Sequence, residues 1–204
     1  MMTANGDQQG SLPDLLARIR ACTLCAGHLP LGPRPVLRAS PTAQLLIIGQ
    51  APGTRVHETG IPWNDRSGER LRSWLEMQPT DFYDDSRVAI IPTGFCYPGR
   101  DPKGGDLPPR PECAATWHPL LMPHLKSVRI TLLVGSYAQA FVLGKGRCGG
   151  MTATVADWRR HAQAGLWPLP HPSWRTTAWE RKNPWFTDDL LPALRQRLQE
   201  ILPG

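Results

Sequence analysis

Three short runs of continuous apolar residues, each closed at once by a glycine or proline, constrain this chain more than anything else in it. They are "QLLIIG" at 44–49, "RVAIIP" at 87–92 and "ITLLVG" at 130–135. Each is too short for a surface helix and has no polar face, so each reads as a strand buried on both sides. "WPLPHPS" at 167–173 reads as a short strand running into a loop. Helical patterns lie between these runs. Ser11 opens the first, with Asp14 in the capping-box position, Pro13 in the first turn, and Leu12, Leu15, Leu16 and Ile19 at helical spacing. "SGERLRSWLEM" places Leu71, Trp74 and Leu75 on one face. "CAATWHPLLMPHL" reads as a helix with a proline interruption, "SYAQAFVLG" as a short helix ending at Gly144, and "ATVADWRRHA" as one more. "NPWFTDDLLPALRQRLQEIL" is an amphipathic helix with Leu190, Leu191, Leu194, Leu198 and Ile201 on its apolar side. Strands alternating with helices predict a three-layer α/β/α fold around a short, mostly parallel central sheet. The 204 residues suffice for one domain with a sizeable core, and we read residues 11–204 as that domain behind a flexible segment, 1–10.

The net charge is +6 and the isoelectric point about 9.4. That suits a polyanionic partner and equally an ordinary basic surface. No apolar run is long enough to span a bilayer, and "MMTANGDQQG" has neither the basic nor the apolar region of a secretory signal. The expectation is a cytoplasmic, monomeric chain with no membrane partner. In that compartment thiols stay reduced, so clustered cysteines bind metal or do chemistry more often than they form disulfides. The cysteines fall as Cys22 and Cys25 in a CxxC, then Cys96 and Cys113 with sixteen residues between, then Cys148 alone in a glycine-rich turn. Four thiolates suit Zn²⁺ or an iron–sulfur cluster; four unrelated buried cysteines are the plainer alternative. Cys22 and Cys25 sit at a helix end and Cys96 in a Pro/Gly loop, which favours the cluster. Cys148 reads as incidental.

Ligands of parallel sheets bind at the carboxyl ends of the strands. Three loops lie there: "GQAPG" at 49–53, the long loop of residues 93–112, and "HPS" at 171–173. A loop as long as 93–112 needs a functional or metal-bound reason. Eight tryptophans, against three tyrosines and four phenylalanines, suit core packing and base stacking alike.

Taken in order, these pieces resemble the uracil-DNA glycosylase superfamily over nearly the whole chain, most of all its iron–sulfur branch, family 4. That branch has a CxxC, a strand running into GEAPG, a Gly-x-Pro-aromatic, a Ser/Ala-Gly opening a helix, a second cysteine pair and a late His-Pro-Ser/Ala loop. Here these are Cys22/Cys25, Gly49–Gly53, Gly60-Ile61-Pro62-Trp63, Ser67-Gly68, Cys96/Cys113 and His171-Pro172-Ser173. The resemblance implies hydrolysis of the N-glycosidic bond of uracil or a related deaminated base in DNA, after the nucleotide is flipped out of the duplex. It implies a [4Fe–4S] cluster on Cys22, Cys25, Cys96 and Cys113, with zinc as the alternative. Ala51, Pro52 and Gly53 would shape a base pocket, Trp63 would stack on the base, and His171 would hydrogen-bond it as negative charge develops. Ser173, Trp174 and Arg175 would enter the minor groove and clamp phosphate.

The chain also departs from the family. The family-4 Glu of GEAPG is Gln50, which cannot act as a base. The Asp of the classical uracil-DNA glycosylase motif is Ala51. The nearest carboxylate is Asp65, in the Asp-x-Ser-Gly pattern of family 5, where it either serves the reaction or caps the following helix. Gln50 stays a candidate for holding the water without a carboxylate. The Asn by which family 4 reads the uracil edge is Pro92, so the residues leave base identity open. Two other readings follow from the same residues: a non-catalytic binder of damaged or single-stranded DNA, and a zinc-stabilised nucleotide-binding module.

Overall fold

Ser11 caps the first helix as its pattern requires: its Oγ accepts from Asp14 N at 3.3 Å and donates to the Asp14 carboxylate at 2.6 Å. The computed structural model describes residues 10–202, so the expected flexible segment, Gly10 apart, lies outside the described residues. Helix α1 (Leu12–Arg20) leads through the CxxC turn into β1 (Leu45–Ile48), α2 (Thr54–Thr59), α3 (Arg66–Leu75), α4 (Pro79–Phe82) and β2 (Val88–Ile90). The long loop follows, then α5 (Pro111–Leu121), β3 (Ile130–Val134) and α6 (Ser136–Leu143). Helices α7 (Met151–Ala156) and α8 (Trp158–Ala162) precede β4 (Leu166–Leu169), and α9 (Thr176–Lys182) and α10 (Leu191–Ile201) close the chain. Pro119 sits inside α5 without ending it. The expected single helix at 153–162 is instead α7 and α8, broken at Asp157.

The four strands are all parallel, in the order β2-β1-β3-β4. Pro168 is tolerated because β4 is an edge strand, where a missing N–H leaves no interior ladder unpaired. The proline-rich connector does more than connect. Arg38 bridges Ile90 in antiparallel sense, and Val36 N donates to Phe95 O at 2.8 Å, so the connector covers the free edge of β2.

Alternation within each strand builds two apolar layers. Leu45 and Ile47 face Leu71, Trp74 and Leu75 of α3, Trp158 of α8, and Leu191, Leu194, Leu198 and Ile201 of α10. Leu46 and Ile48 face Leu15 and Ile19 of α1, Trp117 and Leu121 of α5, and Ala138 of α6. The result is the three-layer α/β/α arrangement. Leu71 is fully buried, and cutting such a side chain to Ala costs about 2–5 kcal/mol. Most of the tryptophans serve this packing. Trp158 stacks on Trp167 at 5.2 Å, Trp74 meets Phe186 edge-on at 4.9 Å, and Trp179 packs on Trp185 and Phe186. Trp117 is buried too, leaving Trp63 half-buried and Trp174 exposed.

Candidate active site

In the order β2-β1-β3-β4 the chain changes direction between β1 and β3, which opens a crevice at their carboxyl ends. A cavity of about 120 Å³ lies at the carboxyl ends of β1, β2 and β4. Gly49, Gln50, Ala51, Pro52 and Gly53 form one wall, Pro62, Trp63, Asp65 and Ser67 another, with Pro92, Asp106 and His171 completing it. All the residues expected to touch the base or do chemistry are therefore brought together. The wall at Gly49–Gly53 is fixed by the start of the long loop. Thr93 N donates to Gly49 O at 3.0 Å, Thr93 Oγ1 to Gln50 O at 2.6 Å, and Gly94 N to Gln50 O at 2.9 Å.

Trp63 is held in a left-handed conformation, φ 56°, uncommon for so bulky a residue and costing about 1–3 kcal/mol. Its carbonyl oxygen accepts from Arg72 Nη1 and from Tyr83 OH, each at 3.2 Å. Arg72 and Tyr83 are themselves bonded at 3.0 Å. Two glycines make the geometry possible. A Cβ on Gly68 would lie 1.7 Å from the Trp63 carbonyl oxygen, and one on Gly49 would lie 2.9 Å from the Trp63 ring. The Cζ2 side of the ring therefore packs closely on the end of β1, where the ring lines the cavity.

Asp65 caps α3: its Oδ1 accepts from Gly68 N at 2.8 Å. It also lines the cavity, so capping and facing the site coexist. His171 stands opposite on the loop after β4, its ring centroid 5.9 Å from that of Trp63. Burial pulls the His171 pKa down and the nearby Asp65 charge only partly restores it, so the imidazole is neutral at neutral pH and can donate one N–H. Gln50 lines the cavity, and its amide Nε2 donates to Leu107 O at 3.4 Å.

The His171 loop is braced by a residue the sequence reading passed over. Arg70, on α3, donates to Ser173 O at 3.2 Å and to Thr177 Oγ1 at 2.9 Å, and pairs with Glu180 at 2.7 Å. Ser173 N donates to His171 O at 2.8 Å, closing a tight turn. Beyond it Trp174 is 79% exposed, with the Arg175 guanidinium 5.5 Å from its ring. An exposed aromatic beside a cation, next to a concave site, suits insertion into a nucleic acid. His118 is a second unforeseen support. Fully buried in α5, it donates from Nε2 to Pro92 O at 2.9 Å and stacks on Phe95, which holds the Pro92 wall. Only its arrival across the sheet distinguishes it, so no sequence signal marks it.

The four expected cysteine ligands also converge. Cys22, Cys25, Cys96 and Cys113 line one small apolar cavity with Leu29, Phe95 and Trp117. Burial pushes the Cys96 thiol up to about 11 and the Cys113 thiol to about 12. Backbone N–H groups of Arg34 and Phe95 bond to the Cys96 and Cys113 sulfurs. Among the described residues, no three His, Cys, Asp or Glu side chains are spaced to hold a metal ion. The donor set and its shared enclosure fit a four-thiolate group. Cys148 lies apart from the other four, its thiol bonded to Asp157 and to Arg160, each at 3.1 Å.

Among the described residues no helix is long and apolar enough to cross a membrane. The family model described as the Uracil DNA glycosylase superfamily matches residues 38–195, which contain every residue lining the cavity except Val36. A parallel four-stranded sheet with its site at the carboxyl ends of β1, β2 and β4 agrees with that match, and the chain belongs to the uracil-DNA glycosylase superfamily.

Proposed function

We propose that this protein is a DNA repair glycosylase that hydrolyses the N-glycosidic bond of uracil or a related deaminated base after flipping it from the helix. One observation carries the reading: the Trp63 ring, the His171 imidazole, with its centroid 5.9 Å from that ring, and the Asp65 carboxylate line one cavity. The bond breaks with negative charge developing on the base and positive charge on the sugar. Neutral His171 donates to the base oxygen that becomes anionic, and a donor placed for such a charge contributes about 2.7–4 kcal/mol. Asp65 steadies the sugar cation. Trp63 stacks on the base and holds it out of the duplex. Trp174 fills the vacated stack and Arg175 holds phosphate.

We propose also that Cys22, Cys25, Cys96 and Cys113 hold a [4Fe–4S] cluster, which would tie the segment after α1 to the long loop and to α5. When bound, the cluster supplies a rigid covalent staple. The residues of the cavity do the chemistry. Zinc on the same four thiolates is the alternative, and iron analysis with a visible spectrum separates the two.

Single-turnover assays on uracil, hypoxanthine, xanthine and thymine-mismatch oligonucleotides, read by cleavage at the abasic product, test the activity. Release of at least one base is the expected result. Tight binding of these duplexes with no abasic product from any would establish the second reading, a non-catalytic binder. The engagement of Asp65 in its cap and of Gln50 with Leu107 is what favours that alternative.

A further inference from the structure

The cavity holds a second carboxylate that neither the family motif nor the cap of α3 accounts for. Asp106 lines its mouth, on the returning arm of the long loop. That arm is fixed by its backbone. Arg100 bridges Asp106 in antiparallel sense, Asp101 N donates to Gly105 O at 2.9 Å, and Leu107 N donates to Gly99 O at 2.9 Å. Gln50 then ties Leu107 to the GQAPG wall. The arm brings Asp106 Oδ2 to 3.5 Å from where a Cβ on Gly53 would stand, so the carboxylate hangs over the turn that forms the pocket wall.

The two carboxylates differ in what engages them. Asp65 has one oxygen committed to Gly68 N. Among the described residues no hydrogen bond engages Asp106; Arg100 acts on it through charge alone. Asp106 is exposed as a whole residue, but partial desolvation of its carboxyl raises it above its ordinary value; the Arg100 charge opposes this and the Asp65 charge adds to it. A raised, unpartnered carboxylate is a stronger proton acceptor than a capped one. Gln50, an amide, accepts no proton, and its contact with Leu107 positions the segment that carries Asp106.

Resting on the glycosylase reading above, we infer that Asp106 is a further catalytic residue: its carboxylate takes the proton of the water that attacks the sugar. The water oxygen bonds to the anomeric carbon as the bond from that carbon to the base nitrogen breaks. The electron pair leaves with the base, which His171 stabilises, and the water proton passes to Asp106. Asp65 contributes charge to the sugar, and Gln50 holds the loop.

Single-turnover excision is measured from pH 4.5 to 8 on an oligonucleotide that the wild-type protein cleaves. The groups facing Asp106 are Arg100 across the hairpin, Asp65 at the start of α3 and His171 on the loop after β4, so Asp65→Asn is measured alongside. Wild type should show a rate that rises with pH as a carboxylate ionises. Asp106→Asn should slow excision by about 10²–10⁴-fold and flatten that rise, with DNA affinity and melting temperature unchanged. Asp106→Glu should recover part of the rate, and Asp65→Asn should keep the rise. An Asp106→Asn protein with wild-type rate and pH profile overturns the assignment while leaving the glycosylase reading intact. A readout without turnover compares duplexes carrying a cationic azasugar or a neutral tetrahydrofuran in place of the nucleotide. Wild type should prefer the cation, and Asp106→Asn should lose about tenfold of that preference, the equivalent of one pKa unit of charge interaction. A wild-type protein that releases no base and shows no such preference overturns both the glycosylase reading and the role of Asp106.

Discussion

Single atoms decide the shape of the base slot. Gly68→Ala would place a methyl carbon 1.7 Å from the Trp63 carbonyl oxygen, so the turn has to move and Trp63 loses its bonds to Arg72 and Tyr83. We expect that variant to lose excision altogether and to melt earlier than the wild type in a thermal scan. His171→Ala should act differently. Its contact strengthens as the base becomes anionic, so single-turnover excision should fall by about 10²–10³-fold with DNA affinity nearly intact. An equal loss of affinity would show that His171 binds the ground state instead. Asp65 can be separated into its two roles by two substitutions. Asn caps a helix about as well as Asp, so Asp65→Asn should slow excision at an unchanged melting temperature. Asp65→Ala should add a stability loss of about 1 kcal/mol, read from the urea midpoint.

At the scale of elements, the site is a meeting of loops, each fixed by another element. Arg70 is the clearest case: one guanidinium on α3 spans Ser173, Thr177 and Glu180 and so holds the turn carrying His171. Arg70→Met keeps the apolar stem against Trp74 and removes the hydrogen bonds, leaving Glu180 without its cation. Excision should drop by at least tenfold through a lower single-turnover rate, and the pH dependence should stay as in wild type, because no titrating group of the reaction has changed. The long loop has two duties. Its start, Thr93 and Gly94, fixes the GQAPG wall, and Cys96 reaches the pocket of thiols. Cys96→Ala and Cys113→Ala should therefore loosen the active-site wall and, with the proposed cluster on these thiolates, lose its metal as well. Iron content, visible absorbance and resistance to limited proteolysis should fall together in each, and Cys148→Ala should change none of the three.

For the whole molecule, the buried histidines set how stability responds to acid. Burial lowers the pKa of His118 and His171, and burial with the neighbouring Arg160 lowers that of His161. A histidine whose folded pKa is depressed binds protons more readily when unfolded. Its contribution is then complete above the unfolded value of about 6.5 and is lost as pH falls toward the folded value. Urea midpoints should therefore decline between pH 7 and pH 5, and His118→Gln should reduce the slope. A midpoint that rose on acidification would contradict the neutral buried state. The net charge of +6 adds a salt dependence to DNA binding. Arg175→Ala should weaken binding to all sequences alike and flatten that dependence, since phosphate contacts carry no sequence information.

Local rules settled much of this protein before any tertiary contact was known. Continuous apolar runs closed by Gly or Pro specify buried parallel strands, and α1, α3, α6 and α10 follow from caps and 3.6-residue spacing, because these signals act within a few residues of the backbone they shape. The spaced motifs located Gln50, Trp63, Asp65 and His171, since a parallel sheet brings successive strand ends to one edge whatever the details. The short helices α2, α4 and α9 lacked enough turns to show a period, and the break at Asp157 divides a segment whose pattern reads as continuous. Tertiary structure alone decided the rest. That Asp65 is both a cap and a pocket residue, that Arg70 braces the His171 loop, that His118 supports Pro92 and that Asp106 reaches Gly53 are contacts between residues far apart in the chain. No local pattern encodes them, because each depends on where the sheet and its two helical layers deliver a loop, and on burial and charge that exist only once those layers have closed.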